Sequence, residues 1–582
     1  MKNILHKKTG FSTVEALLAA SIFVIMVTVL VSGFLYGEES TSLAGGREHA
    51  NMLAEEGLEA ARNIRDASFT NLVDGTYYLS TSSNQWSLTT TPDNLGVFTR
   101  QISVGTISAN RKMVTSTVTW MQNGQRSGSI SLVTYLTNWQ VASAPVGHGG
   151  MLVYSAGGIT NDIMWSKTFS AAGVWSATSS LADIDVSTNR YARAIRVYSS
   201  PTRNEKIVIS RHYDGTFQYL YAQVYNGTTS TWGNVKALST ITNKNFLDVK
   251  NFDGAYLANG NFMAIYSDNA TIPKYVVWSG SSWGSQSNLA DLSGNGGGIP
   301  NFIIARNRPG TNEVMVAIYD QNKDADTEYF NGSTWTLHPI HDVNGVINTE
   351  KEIDFTWSPN SPLIGGLVYR GGNNKNIAAQ IFTANGSGGG TWSSSTITAT
   401  QTNNIGALSI AANPKANEFI FCNKDAAAQA RIVCFKNDFT PTITVPTNNV
   451  LTSVSGTDNG VQLSNALAYP YTNGGPAIAI FGDLSSTTAG FLKKYNTSTA
   501  TWDSAATLIS GLGSQTLTTR LIPDILSNDI MALFANTNQQ LFSAVWNGAT
   551  NLMYTTPVGK ALTAHVGTGS ADTDFWYDFT WD

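Results

Sequence analysis

The sequence predicts two parts: an α+β module built on one long N-terminal helix, followed by a larger all-β propeller. An apolar run from Phe11 to Tyr36 continues into an amphipathic stretch that ends near Asp66, a pattern typical of one continuous helix. Beyond residue 150 a Trp that follows a short polar turn recurs at gaps of 57, 51, 52, 57 and 110 residues. Periods near 50 residues indicate propeller blades.

Composition narrows the class of protein. Only 13% of the 582 residues are charged, against roughly 25% in an average soluble domain, and 52 residues are Gly. This mixture fits many short strands joined by polar turns. The net charge of -5 gives no basic footprint, so we expect no nucleic-acid partner. With two Cys and seven His the sequence excludes a cysteine framework or a Cys/His zinc cluster, and no cofactor is expected.

The apolar run has the features of a membrane-spanning helix. Residues 11–36 are long enough as a helix to cross a hydrocarbon core of roughly 30 Å. Lys2, Lys7 and Lys8 precede the run, which predicts a cytoplasmic N-terminus and export of the rest of the chain. Glu15 is the one charge in the run, and an ionised carboxylate there costs about 2.5–3.5 kcal/mol. Such a residue needs a partner.

The segment Lys7-Lys-Thr-Gly-Phe-Ser-Thr-Val-Glu-Ala16 resembles the processing site of type IV pilins and pseudopilins. The resemblance implies that a prepilin peptidase cuts after Gly10 and that the new N-terminal Phe11 is methylated. It also implies that Glu15 pairs with the N-terminal amine of a neighbouring subunit, and that an inner-membrane assembly platform and other pilin subunits are partners. Two opposite charges are cheaper in lipid as a pair, so burial of Glu15 favours polymerisation. An uncleaved anchor is the alternative.

These features predict the organisation of the first part of the chain. Residues 1–10 are a leader, 11–36 the transmembrane and assembly half of the helix, 37–139 a pilin-like globular domain, and 140–149 a linker. We expect Gly45-Gly46 to weaken the helix. After the helix we expect five strands in an antiparallel meander: Thr76–Ser80, Gln85–Thr90, Val97–Val104, Lys112–Trp120 and Ser129–Trp139.

Two repeated signatures define the predicted propeller, residues 150–582. The first is the turn-borne Trp at positions 175, 232, 283, 335, 392 and 502. The second is Pro-x-x-Asn-Glu at 201–205, 309–313 and 414–418, spaced 108 and 105 residues apart, or two units each time. Eight units fit this length, so eight blades are favoured over seven, with a β-sandwich array as the alternative. The last segment, 574–582, resembles 352–357, and its strand is expected to complete the first blade, which would remove an open sheet edge.

Two groups of residues in the propeller are candidates for bonds or metal binding. Cys422 and Cys434 lie in neighbouring predicted strands, where a cross-strand disulfide and two buried free thiols are both open. Asp320, Asp324 and Asp326 form an acidic loop that could hold calcium through oxygen ligands. The loop lacks EF-hand spacing, and a solvated loop with no metal is favoured.

Four aromatic residues are candidates for ligand contact: Tyr198, Trp357, Tyr469 and Trp581. They lie near the ends of predicted innermost strands, where aromatic rings at a propeller mouth can stack on sugars or on a partner's side chains. The alternative is that they fill the space between blades. No nucleophile elbow, phosphate loop or zinc pattern is present in the sequence, so we do not expect an enzyme.

The resemblance and the propeller together imply a minor type IV pilin. Before assembly it would be a single-pass protein of the cytoplasmic membrane with its C-terminal domain outside, and afterwards part of an extracellular filament. The propeller would act at or near the filament tip as a module for adhesion or recognition, with a glycan or a protein as its ligand. The alternatives are a pseudopilin of a secretion or DNA-uptake machine and a tethered carbohydrate-active enzyme.

Overall fold

The computed structural model describes residues 12–582 except 83–84, 109–110, 124–125, 138–148, 156–162, 185–189, 215, 242–249, 339–350, 372–374, 394–396, 401–404, 427–429, 441, 454–464, 473, 483–487, 548–555 and 561–575. The chain divides into two compact units, Met1–Ser143 and Ala144–Asp582. Most of the expected linker, 140–149, lies outside the described residues.

The first unit begins with helix α1, Thr13–Ala67, which runs unbroken through Gly45 and Gly46. At 1.5 Å per residue its 55 residues span about 80 Å. A capping box starts the helix: the Ser12 hydroxyl accepts the Val14 N–H, and Glu15 Oε2 accepts the Ser12 N–H at 2.9 Å. Because these bonds satisfy free backbone donors, the helix has a defined first turn at Ser12.

The N-terminal half of α1 is apolar and exposed. An 18-residue window has a mean hydropathy of 2.6 and none of it is buried, so α1 is long and apolar enough to cross a membrane. The hydroxyls of Ser21 and Thr28 donate to the carbonyls of Leu17 and Val24, one turn earlier. The helix therefore satisfies these two polar side chains internally, as a lipid environment requires.

The C-terminal half of α1 packs on an antiparallel sheet of five strands: β1 (Gly75–Ser82), β2 (Gln85–Thr89), β3 (Phe98–Ser108), β4 (Arg111–Asn123) and β5 (Arg126–Thr137). The order is β2-β1-β3-β4-β5, so the expectation of a simple meander is wrong at its start. The cause is that β1 uses both edges: it pairs with β2 on one and, over Gly75–Tyr77, with β3 on the other.

Close approach of α1 to the sheet explains a glycine in the middle of the helix. A Cβ on Gly57 would lie 2.4 Å from the Ser116 hydroxyl oxygen and 2.9 Å from Ile102 Cδ1. Beside it Arg100, 2% exposed, donates to Glu56 of the helix and to Asp93, each at 2.8 Å. A side chain at position 57 would push the helix away from the buried Arg100 and weaken these contacts.

The second unit is all β. In the described residues its first four sheets consist of these strands: sheet 1, β6 (Gly150–Ser155), β7 (Met164–Phe169), β8 (Ser179–Ser180) and the last strand of the chain, β39 (Tyr577–Trp581); sheet 2, β9 (Tyr191–Ser199), β10 (Glu205–Tyr213), β11 (Gln218–Asn226) and β12 (Thr231–Ile241); sheet 3, β13 (Phe252–Tyr256), β14 (Phe262–Tyr266), β15 (Lys274–Trp278) and β16 (Ser287–Asn288); sheet 4, β17 (Pro300–Asn307), β18 (Val314–Asp320), β19 (Ala325–Phe330) and β20 (Trp335–Leu337).

The other four sheets are built in the same way: sheet 5, β21 (Ile353–Trp357), β22 (Ile364–Arg370), β23 (Asn376–Ala384), β24 (Gly390–Trp392) and β25 (Ile397–Thr400); sheet 6, β26 (Ile405–Ala412), β27 (Phe419–Ala426), β28 (Ala430–Asn437) and β29 (Val450–Ser453); sheet 7, β30 (Asn465–Ala468), β31 (Ala477–Gly482), β32 (Gly490–Asn496), β33 (Thr501–Trp502) and β34 (Thr507–Ile509); sheet 8, β35 (Thr516–Pro523), β36 (Ile530–Asn536), β37 (Gln540–Trp546) and β38 (Thr556–Lys560). All pairings within these sheets are antiparallel.

The sheets form a closed, propeller-like ring. The first strand of each sheet contacts the first strand of the next, in the order β39, β9, β13, β17, β21, β26, β30, β35 and back to β39. Closure comes from the C-terminal strand, in which Tyr577–Trp581 pairs with Gly150–Tyr154. Because the last strand of the chain supplies the first strand of sheet 1, this sheet holds the two ends of the unit together.

The repeated Trp packs on an aromatic residue of the third strand of its own sheet. Ring centroids lie 4.9–5.3 Å apart in six such pairs: Phe169–Trp175, Tyr225–Trp232, Trp278–Trp283, Phe330–Trp335, Phe382–Trp392 and Tyr495–Trp502. In sheet 6 Phe439 takes this place, 4.6 Å from Phe419 of the second strand. The Trp repeat is therefore a packing element of the six sheets that carry it.

The Pro-x-x-Asn-Glu turns join the first and second strands of sheets 2, 4 and 6, and each ends in a buried Glu. Glu205 accepts from Tyr256 and Trp278 of sheet 3, at 2.9 and 3.0 Å. Glu418 accepts from Tyr469 of sheet 7 at 2.6 Å. The turns in sheets 2 and 6 therefore tie their sheet to the next one, whereas Glu313 in sheet 4 accepts from Tyr329 of its own sheet at 2.6 Å. Because the turn recurs in every second sheet, the sequence repeat spans a pair of sheets.

A disulfide joins Cys422 and Cys434, directly opposite residues of β27 and β28. Both sulfurs are buried in the cluster between sheets 6 and 7. Disulfides persist in oxidising compartments, so this bond fits an exported domain.

Trp581→Ala tests the closure. The Trp581 indole is 6% exposed and donates to the Ile522 carbonyl of sheet 8 at 2.8 Å, just as Trp357 in sheet 5 donates to Arg306 of sheet 4 at 3.0 Å. We expect Trp581→Ala and Trp357→Ala each to lower the free energy of unfolding by about 3–5 kcal/mol, because each leaves a large cavity between sheets. Denaturant unfolding of the full chain in detergent measures both. A large loss for Trp357→Ala with none for Trp581→Ala would contradict closure by β39.

Candidate functional site

The first strands of the sheets surround a polar cavity of about 230 Å³, here called the central channel. Its lining comes from seven of these strands and from Lys351, just before β21: Arg196, Arg306, Lys351, Asp354, Ala407, Leu408, Ser409, Ile410, Ala466, Leu467, Thr518, Thr519, Arg520, Leu521, Ile522, Tyr577 and Asp578. A second cavity shares Arg196, Arg306 and Asp578 and adds Tyr198 and Asp253. The two cavities therefore meet at a ring of charged side chains.

Three aspartates occupy equivalent places in this ring. Asp253, Asp354 and Asp578 are each the second residue of the first strand of an odd-numbered sheet. Each carboxylate accepts a backbone N–H from the first strand of the following sheet: Ala305 (3.1 Å), Ile410 (3.2 Å) and Val197 (3.0 Å), respectively. The aspartates thus join sheets 3 to 4, 5 to 6 and 1 to 2.

Cations surround these carboxylates. Asp253 lies 3.0 Å from Lys250 and 3.2 Å from Arg306. Lys351 donates to Asp354 at 2.6 Å. Asp578 accepts from Arg520 at 2.6 Å and lies 3.7 Å from Arg196.

Four cations, Arg196, Arg306, Lys351 and Arg520, and two carboxylates, Asp354 and Asp578, line the central channel, which is net positive within a chain of net charge -5. Burial lowers the pKa of Lys250 to about 7; Asp253 opposes this, and Arg196 and Arg306 lower it further. Burial and Arg196 likewise lower the pKa of Arg520, against the attraction of Asp578. Burial alone would raise the pKa of Asp253, but Lys250, Arg306 and Arg196 hold it below its usual value. A site of this charge favours an anion.

The four aromatic candidates lie in different surroundings. Trp357, Tyr469 and Trp581 are 4%, 3% and 6% exposed and bond to a neighbouring sheet, so no ring face is open to a ligand. Their packing between sheets follows from their position at the end of a first strand. Tyr198 is half-buried, lines the second cavity and donates to Asp253 at 2.5 Å. Among the four, Tyr198 alone stays a candidate for ligand contact.

The acidic loop is a turn between β18 and β19. Asp320 accepts the N–H of Asp324 at 2.9 Å and also the N–H of Gly298. Both carboxylate oxygens of Asp320 are therefore bonded to the backbone. In the described part of the chain no group of three or more His, Cys, Asp or Glu side chains is placed to hold a metal ion. The arrangement of Asp320, Asp324 and Asp326 therefore gives no support to a calcium site.

Two carboxyl groups on β19 are buried and have few hydrogen-bond partners in the described residues. Asp326 and Glu328 are both 0% exposed. Neither oxygen of Asp326 has a hydrogen-bond partner in the described residues, and Glu328 accepts the Ala290 N–H at 2.8 Å. Burial raises the pKa of Asp326 to about 7, helped by Asp320 and Asp324, and burial raises that of Glu328 to about 8. These groups bind protons more tightly in the folded chain than in the unfolded one.

The residues of the predicted processing site are only partly described. Gly10 and Phe11 lie outside the described residues. Glu15 is exposed in the first turn of α1, where its carboxylate accepts the Ser12 N–H.

Solved structures similar to this chain include lectins and lactonases, at low similarity. The BP39L lectin from Burkholderia pseudomallei is 11% identical and has a TM-score of 0.43, with 63% of this chain and 100% of that chain covered. The periplasmic gluconolactonase PpgL from Pseudomonas aeruginosa is 9% identical, with a TM-score of 0.37 and coverages of 63% and 97%. The Aleuria aurantia lectin is 10% identical, with a TM-score of 0.33 and coverages of 65% and 98%. Likenesses this weak carry no argument for function.

No protein-family model matches the sequence, and no curated protein matches it.

The two buried carboxyls predict how stability depends on pH. Their folded-state pKa values, about 7 and about 8, lie above the usual values near 4, so the folded chain binds more protons between pH 4 and 8. Their contribution to the free energy of unfolding therefore falls as pH rises through this window. Asp326→Asn, neutral at every pH, should flatten this fall.

The measurement is the unfolding free energy at pH 5 and pH 8.5 for the parent chain and the variant. Asp291→Asn is the control, because Asp291 is a surface acid of the same unit whose pKa is lowered by the Ser293 N–H. Equal pH slopes for the parent and Asp326→Asn would contradict the assignment.

Proposed function

We propose that the chain is a membrane-anchored, pilin-like filament subunit that displays an eight-bladed propeller as an extracellular binding module. The observation that carries the proposal is the N-terminal half of α1: an exposed apolar helix, long enough to span a bilayer, with Glu15 as its one charge before Glu38. The Lys7–Ala16 segment supplies the processing motif, with cleavage after Gly10 and methylation of Phe11.

The geometry of Glu15 supports a role in assembly. Its carboxylate accepts one N–H, from Ser12, and its side chain is exposed on an apolar surface. A charge in that position is costly in lipid unless a cation joins it. The N-terminal amine of a neighbouring processed subunit is the cation that the pilin resemblance provides, and pairing would favour stacking of helices.

The second unit supports binding rather than catalysis. Eight sheets in the described residues form a closed ring around a charged channel, and we take each sheet as one blade. A general acid in a glycosidase needs a raised pKa, whereas the pKa of Asp253 is lowered by the cations around it. Each of the three channel aspartates is held by a cation and by a backbone N–H, which suits a rigid recognition surface.

Size supports a minor subunit near the filament tip. The second unit has 439 residues (144–582) and the first 143. Repeating such a large unit on every subunit of a tightly packed shaft is sterically unfavourable. In this proposal the partners are other pilins, the prepilin peptidase and the membrane platform, and adhesion is the role of the propeller.

Glu15→Ala tests the proposal against Glu39→Ala, which removes an exposed glutamate of the same helix outside the apolar run. In cells that carry the assembly machinery, Glu15→Ala should lower the amount of the chain in sheared filaments about tenfold or more, because the buried charge pair is lost. Glu39→Ala should leave this amount unchanged. Immunoblots of sheared and membrane fractions measure both, and mass spectrometry of the N-terminus tests whether it begins at methylated Phe11.

If Glu15→Ala entered filaments as well as the parent chain, or if the leader stayed attached, the chain would be a solitary anchored receptor. If the parent chain stayed in the membrane fraction and its assembly still required Glu15, the pseudopilin alternative would be favoured.

A further inference from the structure

The ring of aspartates has one substituted position. In sheets 1, 3 and 5 the second residue of the first strand is Asp, and it pairs with the residue before the aromatic position of the second strand. In each of these sheets the residue before the Asp pairs with an aromatic residue of the second strand: Tyr577–Tyr154, Phe252–Tyr266 and Ile353–Tyr369. In sheet 7 the corresponding pair is Asn465–Phe481, so Ala466 of β30 occupies the position of the Asp. A methyl group therefore stands where the pattern places a fourth carboxylate.

Arg520 is carried by the strand that follows this position. Each aspartate reaches the first strand of the following sheet, and the strand that follows β30 is β35, which carries Arg520. Ala466 and Arg520 both line the central channel. The position without a carboxylate thus lines the same cavity as the Arg520 guanidinium, which donates to Asp578 at 2.6 Å.

Two hydroxyls in the same lining lack partners. The side-chain oxygens of Ser409 and Thr519 are buried and have no hydrogen-bond partner among the residues that the structure describes. Thr519 is 6% exposed and lies next to Arg520 in the chain. Buried polar atoms are nearly always bonded, so these two hydroxyls point to a polar ligand in the channel.

We propose that the central channel binds a carboxylate-bearing sugar residue. Its carboxylate lies over Ala466, beside Arg520, and offsets the excess of positive charge, while its hydroxyls bond to Ser409 and Thr519. A cavity of about 230 Å³ lies below the roughly 300–1,000 Å³ of pockets for larger ligands, which suits one sugar residue. The inference deepens the proposed function, since it rests on the propeller being a ligand-binding module.

The test is calorimetric titration of the full chain in detergent with acidic sugars and their neutral counterparts: glucuronic acid against glucose, galacturonic acid against galactose, and N-acetylneuraminic acid against its methyl ester. At least one acidic sugar should bind about tenfold or more tightly than its counterpart, and less tightly as salt rises from 50 to 500 mM. Sodium sulfate and galactose 6-sulfate distinguish a carboxylate site from a site for any anion.

Ala466→Asp supplies the fourth carboxylate and should weaken binding of the acidic sugar about tenfold or more. Ala466→Asn, of nearly the same size and neutral, is the matched control and should retain most of the affinity. Equal thermal midpoints for the two variants establish that both fold. Should Ala466→Asp not fold, Thr519→Val, which removes one hydroxyl at constant charge and shape, should weaken binding several-fold.

Equal affinity for acidic and neutral sugars, with no effect of Ala466→Asp, would overturn the acidic-sugar site while the propeller remained a binding module. Binding of sulfate as tight as that of the acidic sugars would likewise overturn it in favour of a general anion site. Absence of binding to every sugar would overturn the inference, and the result for Glu15→Ala in filaments would still decide the filament role separately.

Discussion

Pairing of the last strand with the first is the constraint on which the second unit depends. Tyr577–Trp581 lies beside Gly150–Tyr154, so residues more than 400 positions apart complete one sheet. The same strand supplies Asp578, which accepts the Val197 N–H of sheet 2 and bonds to Arg520 of sheet 8. The same strand therefore both closes the ring and supplies a charged residue of the channel. Loop-closure entropy makes such a long-range contact costly, which the packing of Trp581 and its neighbours offsets.

Much of the fold follows from local pattern. The apolar run and the amphipathic stretch that follows it predict α1, and Ala50, Ala54 and Ala61 are buried in its contact with the sheet. The predicted continuity of the helix to about Asp66 is confirmed, since α1 runs to Ala67 through Gly45 and Gly46. Propensity alone says that two glycines weaken a helix, but long flanking segments outweigh them. The order of β1 and β2 also depends on edge pairing, which the spacing of hydrophobic residues does not encode.

The charged channel was not predicted, although its signal is present in the sequence. Arg196, Arg306 and Arg520 are separated by 110 and 214 residues, and Asp253, Asp354 and Asp578 by 101 and 224, close to one and two times the period of the Pro-x-x-Asn-Glu turns. An alignment of the sequence on a repeat of two sheets places the three arginines near equivalent positions, and likewise the three aspartates. The aromatic residues near the ends of the first strands are easier to identify in the sequence than the charged residues of the channel. Their position at a strand end does not determine which way each ring faces. Trp357 and Trp581 turn between sheets because their indole N–H groups find a carbonyl there.

Hydrogen exchange of the C-terminal strand tests ring closure most directly. The amides of Tyr577–Trp581 are compared with those of Ile353–Trp357, an equivalent strand that the chain continues through on both sides. Paired strands of one cooperative ring should show the same protection, lost only when the whole unit opens. Exchange of 577–581 within seconds, while 353–357 stays protected, would mean that the last strand is an unpaired tail and would contradict both the closed ring and its central channel.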